Sequence, residues 1–197
     1  MREEALLKAF HETGALKRGH FQLSSGLHSG VYFQSALVLQ HPDRAEVLGR
    51  ALAKLVAVYR PEVVVGPALG GLIIGWEVAC ELGVRGIFTE RQDGVMCLRR
   101  GFEIGKGRRV VIVEDVITTG KSTRETMAVI EAAGGTTVAV AALVDRSGGT
   151  AELNAPMHAL LSLPVETNTP DECPECQAGV PLDKPGSRPG EATLKAK

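Results

Sequence analysis

The chain has 197 residues, 44% of them hydrophobic and 23% charged, with a formal net charge of -1. This length fits one domain with a real core, and the composition is that of a globular chain rather than a disordered or fibrous one. The near-zero charge argues against a broad nucleic-acid surface, and no apolar run approaches the roughly 20 residues that span a bilayer, so neither nucleic acid nor membrane is expected as a partner.

In chain order, residues 2–14 read as a helix with Leu6, Leu7 and Phe10 on one stripe and Gly14 as its C-cap. This charged start has no apolar signal core, and Cys80 and Cys97 stand isolated, so a cytoplasmic protein without a disulfide framework is expected. FQLSSGLHSGVYFQSALVL, from Phe21 to Leu39, reads as a loop leading into a strand. Pro42-Asp43 opens a helix to about Tyr59, with Leu48, Leu52, Leu55 and Val56 on one face. Glu62-Val-Val-Val-Gly66 is a continuous apolar run, as in a strand covered on both faces. Gly70-Gly71 leads into an apolar helix ending near Leu82, and a short strand follows from Gly86 to Thr89.

Residues 90–109 mix charge and glycine without a period and read as a long loop or ribbon. Val110 to Val113 is the most β-rich run, Ser122 to Ala133 is a helix stopped by Gly134-Gly135, and Thr137 to Val144 is a further buried strand. The alternation predicts an α/β fold with a mainly parallel central sheet flanked by helices, whose ligands sit beyond the carboxyl ends of the strands. Three segments are expected: an N-terminal part over 1–40, an α/β core over 41–165, and a C-terminal extension over 166–197 whose Pro- and Gly-rich end frays.

The most informative loop is VIVEDVITTGKST, Val111 to Thr123. A strand-to-helix junction leaves free N–H groups at a helix N-terminus, where the dipole favours an anion. One Thr or Ser there is usually a simple N-cap. Thr118, Thr119, Ser122 and Thr123 crowded around Gly120 exceed that need and suit a phosphate. Gly-Lys-Ser-Thr also resembles the end of a nucleotide-triphosphate loop, but that motif needs a glycine where Asp115 stands, and a carboxylate would repel the triphosphate. Two adjacent carboxylates, Glu114 and Asp115, are tolerable there if they accept hydrogen bonds from sugar hydroxyls near a divalent cation.

An apolar strand followed by Glu-Asp, two apolar residues and Thr-Thr-Gly resembles the diphosphate-sugar signature of type I phosphoribosyltransferases. The resemblance implies that Glu114 and Asp115 hold the ribose hydroxyls of 5-phosphoribosyl 1-diphosphate. It also implies that the loop of Val116, Ile117, Thr118, Thr119, Gly120, Lys121 and Ser122 holds the 5′-phosphate. Other segments are similar to the orotate phosphoribosyltransferases, which implies that residues 1–40 form a small N-terminal hood with the base-site loop and 41–165 the donor-binding core. Phe21-Gln-Leu23-Ser24-Ser25-Gly26 looks like their base-site loop, Val65 to Gly71 with Gly70 and Gly71 like their diphosphate turn, and Glu90-Arg91 with Leu98 to Phe102 like their mobile loop. Val144-Asp145-Arg146 looks like the strand end whose arginine grips the orotate carboxylate, and Cys173-Pro-Glu-Cys176 and Pro185-Gly-Ser-Arg188 are similar to segments of relatives.

The resemblance therefore implies transfer of ribose 5-phosphate to orotate, giving orotidine 5′-monophosphate and diphosphate, with Asp115 and Arg91 as catalytic residues. It implies Mg²⁺ bound mainly through substrate oxygens, and a homodimer with shared sites. The chain departs from the better-known form of that family, which carries lysine where Ser24 stands and a lysine-rich mobile loop with a histidine. Here Arg91 keeps the first basic position, Gln92 follows, and no histidine occurs between His41 and His158. Arg99 and Arg100 are the next candidates to cover the diphosphate. A single CxxC at Cys173 and Cys176, even with His158 considered beside it, is weak evidence for zinc, and no protein-held metal is expected. A purine or xanthine phosphoribosyltransferase and a non-catalytic donor-sensing regulator are the alternative readings.

Overall fold

In this computed structural model residues 3–23 and 26–185 are described. Ser24, Ser25 and the segment 186–188 singled out above lie outside the described residues. Helix α1 (Glu3–Glu12) buries Leu6 and Phe10 and stops at Gly14, whose φ is 68°. Next come β1 (Leu16–Gln22), β2 (His28–Phe33) and the single helical turn α2 (Ala36–Leu39). The loop and strand expected over 21–39 are thus part of a hairpin followed by a helical turn. The hairpin register slips between Arg18 and Phe21, which breaks the two-residue alternation that would mark β1 as a strand.

Helix α3 (Pro42–Val56) has Pro42 in its first turn and buries Leu48, Leu52 and Val56 as expected, while Leu55 is partly exposed. The alternation then runs β3 (Val63–Pro67), α4 (Gly71–Leu82), β4 (Arg85–Gln92), β5 (Val95–Leu98), β6 (Arg109–Ile117), α5 (Lys121–Ala132), β7 (Thr136–Asp145) and β8 (Met157–Ser162). A two-residue strand, β9 (Thr167–Asn168), and the short helix α6 (Pro174–Gln177) complete the described chain. Half of the expected ribbon over 90–109 is a β4–β5 hairpin turned at Asp93-Gly94, both at positive φ. Strand β8 has no counterpart in the sequence reading, because Met, Ala and Leu have little strand preference and the run is short.

The chain divides into two compact units: one runs up to Ala15 and resumes over Gln34–Pro164, and the other joins Leu16–Phe33 to the chain from Val165 on. This differs from the expected breaks near 40 and 165. Helix α1 packs on β8, which places it in the first unit, and β2 pairs with β9, which draws the C-terminal segment to the hairpin.

The first unit holds a six-stranded sheet in the order β5-β4-β3-β6-β7-β8, parallel except for β5. Helices α3 and α4 cover one face and α5 the other, with Ile130 of α5 packed among Val63, Val65, Val110, Ile112 and Val140. Strands buried on both faces explain the unbroken Val and Ala runs. From β3 the chain goes outward to β4, then returns to β6 on the other side of β3. The loops after β3 and β6 therefore diverge and leave a crevice at the carboxyl ends, the place where open parallel sheets bind ligands. The second unit holds the antiparallel sheet β1-β2-β9. Among the described residues no helix is long and apolar enough to cross a membrane.

Helices α3 and α4 cross at Gly49, where an added Cβ would lie 2.4 Å from the Cβ of Glu77. Alanine in place of a mid-helix glycine ordinarily stabilises by about 1 kcal/mol, but overpacking costs about 1–3 kcal/mol. Gly49→Ala is expected to lower Tm by several degrees in a thermal melt; a higher Tm would show that the helices separate freely.

Candidate active site

The crevice is lined by the ends of β3 and β6. Glu114 lies near the end of β6 and is 4% exposed. Its Oε1 accepts hydrogen bonds from Ser122 Oγ at 2.7 Å and Thr123 Oγ1 at 3.3 Å, both in the first turn of α5. Burial pushes its pKa up to about 7; the Ser122 bond opposes the rise, the neighbouring Asp115 charge adds to it, and the Thr123 bond opposes it again. Asp115 is half-buried. The Ser35 hydroxyl donates to its Oδ2, and Val116 N–H donates to Oδ1 at 2.8 Å. Each carboxylate oxygen keeps a second lone pair, so the group is oriented without being saturated.

The β3 turn closes on the same carboxylate. A Cβ on Gly70 would lie 2.3 Å from Asp115 Oδ1, and one on Gly71 would lie 2.6 Å from the Val113 carbonyl oxygen. Glycine is required at both positions by the close approach of the protein's own atoms, which is the tight-packing role weighed for that turn. The peptide between Ala68 and Leu69 is cis.

Beyond Asp115 the chain turns through Thr118 and Thr119, both exposed, to Gly120 at φ 71°. Gly120, the N-cap of α5, has no side chain to cap it, and Thr119 Oγ1 accepts from the Lys121 N–H at 3.4 Å, so one hydroxyl of the loop serves the helix start. The loop is braced from behind: Arg124 Nη1 donates to the Thr119 carbonyl at 2.9 Å and to the Glu152 carbonyl at 3.3 Å. Residues 116–123 and Arg91 line a cavity of about 210 Å³. A larger cavity of about 330 Å³, lined by Glu62, Arg85, Glu103 and Arg108 among others, lies at the amino ends of β3 and β4, away from this crevice.

Arg91, on β4, therefore stands beside the hydroxyl loop, where its guanidinium pairs with Glu125 of α5 and donates to the Gly94 carbonyl at 2.7 Å. Arg100 grips Glu90 with two bonds of 2.9 and 3.0 Å, and Arg99 lies 3.8 Å from the same carboxylate. Both arginines are thus tied to a surface acid. Arg146 follows β7 directly, and its N–H donates to the Ile117 carbonyl at 2.8 Å, which puts it at the strand end next to the loop. Asp145 accepts from Ser147 and Gly149 and orders the turn beyond. Ser24 lies outside the described residues.

The structure thus gathers Glu114, Asp115, Gly70, Gly71, the 116–122 loop, Arg91 and the Arg146 backbone at one end of one sheet. Sequence reasoning missed Ser35, Arg124 and Glu125. Ser35 reaches Asp115 across 80 positions, and no local pattern marks it.

A model of the phosphoribosyl transferase domain matches residues 35–170. The chain is 52% identical to the orotate phosphoribosyltransferase of Pelotomaculum thermopropionicum over 95% of its own length and 99% of that protein's. It is 46% identical to that of Caldanaerobacter subterraneus, over 95% and 99%. Among solved structures, orotate phosphoribosyltransferase from Aeropyrum pernix superposes with a TM-score of 0.68 at 29% identity, covering 80% of this chain and 93% of that one. The sheet order, the crevice with its acid pair and hydroxyl loop, and this near-full-length similarity lead to one conclusion: the chain belongs to the orotate phosphoribosyltransferases and has the type I phosphoribosyltransferase fold.

Proposed function

We infer that this protein transfers ribose 5-phosphate from 5-phosphoribosyl 1-diphosphate to a ring nitrogen of orotate, releasing diphosphate and orotidine 5′-monophosphate, a step of pyrimidine nucleotide synthesis. The observation that carries the reading is the acid pair Glu114–Asp115, set between a glycine turn and the Gly120 start of α5 at the strand switch point. Thr118, Thr119 and the amides up to Ser122 receive the 5′-phosphate, which gains from the α5 dipole. Asp115, pre-oriented by Ser35, and Glu114 accept the ribose hydroxyls. The backbone of Gly70 and Gly71, held against Asp115 and the end of β6, takes the diphosphate.

The bond from C1′ to the diphosphate oxygen breaks as the orotate nitrogen bonds to C1′, and the electron pair leaves with diphosphate. Positive charge grows at C1′, so the carboxylate of Asp115 stabilises that stage more than the ground state. Arg91 exchanges Glu125 for phosphate oxygens and offsets their charge. Arg146 grips the orotate carboxylate. Mg²⁺ would be held mainly by the donor's own diphosphate and ribose oxygens, with the carboxylate of Asp115, the less buried of the acid pair, as the nearest protein oxygens, and would supply charge neutralisation for the leaving group.

We place the protein in the cytoplasm as a homodimer with shared sites. Ile73 and Trp76 on α4, 45% and 61% exposed, and Leu69 in the turn before it, 79% exposed, support the dimer as large apolar side chains that water does not favour.

Incubation with donor, Mg²⁺ and orotate is expected to remove orotate absorbance and release diphosphate; release with a purine instead would overturn the acceptor. Asp115→Asn is expected to lower kcat roughly 10- to 100-fold, the loss of one charge-assisted bond, with Tm little changed. Unaltered turnover would remove Asp115 from the mechanism. Arg146→Ala should raise KM for orotate roughly 10-fold or more and that for the donor far less; equal rises would point to general damage.

Glu114 generates a pH prediction. The folded protein holds its proton more tightly than the unfolded chain, so the contribution to stability is full below about pH 4.5 and is lost as pH rises to about 7. The loss is on the order of 3 kcal/mol. Glu114→Gln should flatten this limb of the stability profile and raise Tm at pH 8; an unchanged slope in denaturant titrations would place the proton elsewhere.

A further inference from the structure

The second unit contains a cluster that the transferase chemistry does not use. His20 of β1, His28 of β2, and Cys173 and Cys176 at the start of α6 converge, with one ligand atom from each lying within 4.8 Å of all the others. His20 Nε2 lies 2.9 Å from His28 Nδ1, 3.4 Å from Cys173 Sγ and 3.6 Å from Cys176 Sγ, and His28 Nδ1 lies 3.2 Å from Cys176 Sγ. A tetrahedral zinc ion with two nitrogen and two sulfur ligands has ligand–ligand edges of about 3.3–3.8 Å, close to these separations.

Hydrogen bonding alone does not account for the convergence. His20 Nδ1 lies 2.8 Å from the Val180 carbonyl, which can only accept, so Nδ1 carries the proton and a neutral ring presents a bare lone pair at Nε2. The Cys173 thiol can donate instead to Glu175 Oε2 at 3.2 Å, but His28 Nδ1 and the Cys176 thiol still converge on that single lone pair. A cation at the centre accepts from all four. The bond to Val180 is also the outer support that metal-bound histidines commonly have, fixing both tautomer and ring direction.

Burial points the same way. His20 and His28 are each 3% exposed and Cys173 is fully buried, so these polar groups occupy the interior of the unit. The other buried apolar side chains described there are Leu16, Phe21 and Phe33, too few to stabilise a three-stranded sheet by packing alone. The ligands come from two adjacent strands and from a segment some 150 positions later, so one ion would close a very long loop.

We propose that His20, His28, Cys173 and Cys176 form a structural zinc site that ties the C-terminal segment to the β1–β2 hairpin. Two thiolates and two imidazoles in a closed tetrahedral set select zinc over Mg²⁺, and four protein ligands leave no open position for catalysis. His158, the histidine weighed from sequence, is elsewhere: it lies on β8, with its Nε2 2.9 Å from the Tyr59 hydroxyl.

The test is metal analysis of the full-length protein, purified without a histidine tag from zinc-supplemented cells. About one zinc per chain is expected to survive gel filtration. Protein grown with Co²⁺ instead should show visible bands of tetrahedral intensity and a near-ultraviolet sulfur-to-metal band. Chelator treatment should lower Tm, with recovery on adding Zn²⁺ but not Mg²⁺. Cys176→Ser and His28→Asn should each weaken zinc retention against a competing chelator roughly tenfold or more, whereas His158→Gln should hold it as the native chain does. Well under one zinc per native chain, a Cys173–Cys176 disulfide found by mass spectrometry, or full zinc in both ligand variants would overturn the site. The native-protein measurements decide the matter even if the variants do not fold.

Discussion

Glu114 sits near the end of a strand covered on both faces, where a carboxyl must either keep its proton or be supplied with donors. The protein does some of each. Ser122 and Thr123 turn their hydroxyls back to it, and burial holds its pKa near 7. That arrangement fixes the loop between them, because a chain that leaves β6 at Glu114 and returns two hydroxyls from α5 has only residues 115–121 to spend on the turn. The loop from 115 to 121 is therefore short, and its path follows from the carboxyl that its flanks satisfy.

The same constraint positions Asp115. With Glu114 turned inward, the next side chain on the strand points to the other side, where Ser35 and the Gly70 turn meet it. Two adjacent carboxylates thus have different tasks set by pleat and environment: one is buried and shares its proton, and the other is half-exposed and oriented. The glycines follow from this geometry, since a Cβ at position 70 would occupy the space of the Asp115 carboxylate. The crevice at the β3–β6 switch point is in this sense a consequence of placing acid at the end of a buried strand.

Legibility from sequence followed locality. Strands β3, β6 and β7 were readable because burial on both faces writes unbroken runs such as Val63-Val64-Val65, and the setting of Glu114 was readable because Ser122 and Thr123 lie within nine positions of it. Strand β1 was not, since its slipped register hides the alternation, and β8 was not, since Met157 to Ser162 lacks β-branched residues. Ser35 and Arg124 act through contacts that only folding creates: one spans 80 positions, and the other is made to carbonyl groups, which carry no side-chain signal. The boundary of the second unit was missed for a related reason. Strand β9 is two residues long, and its pairing with β2 joins segments more than a hundred positions apart.

The two units solve the stability problem by different means, and their buried residues say why. In the first, Val63–Val65, Val110–Val113 and Ala139–Val144 are all fully buried beneath helices, so apolar area alone supplies the main stabilising term. Its polar interior is confined to groups such as Glu114 and Thr126, each with a partner. In the second, two of the few buried side chains are imidazoles and one is a thiol. Without an ion, His28 Nδ1 and the Cys176 thiol would compete for one lone pair at His20 Nε2 and leave one group unpaired, which costs about 1–3 kcal/mol. With zinc, the same polarity becomes the attractive centre of the unit. A short β-hairpin, marginal by itself in water, is then held by coordinate bonds to a segment that the apolar core could not recruit.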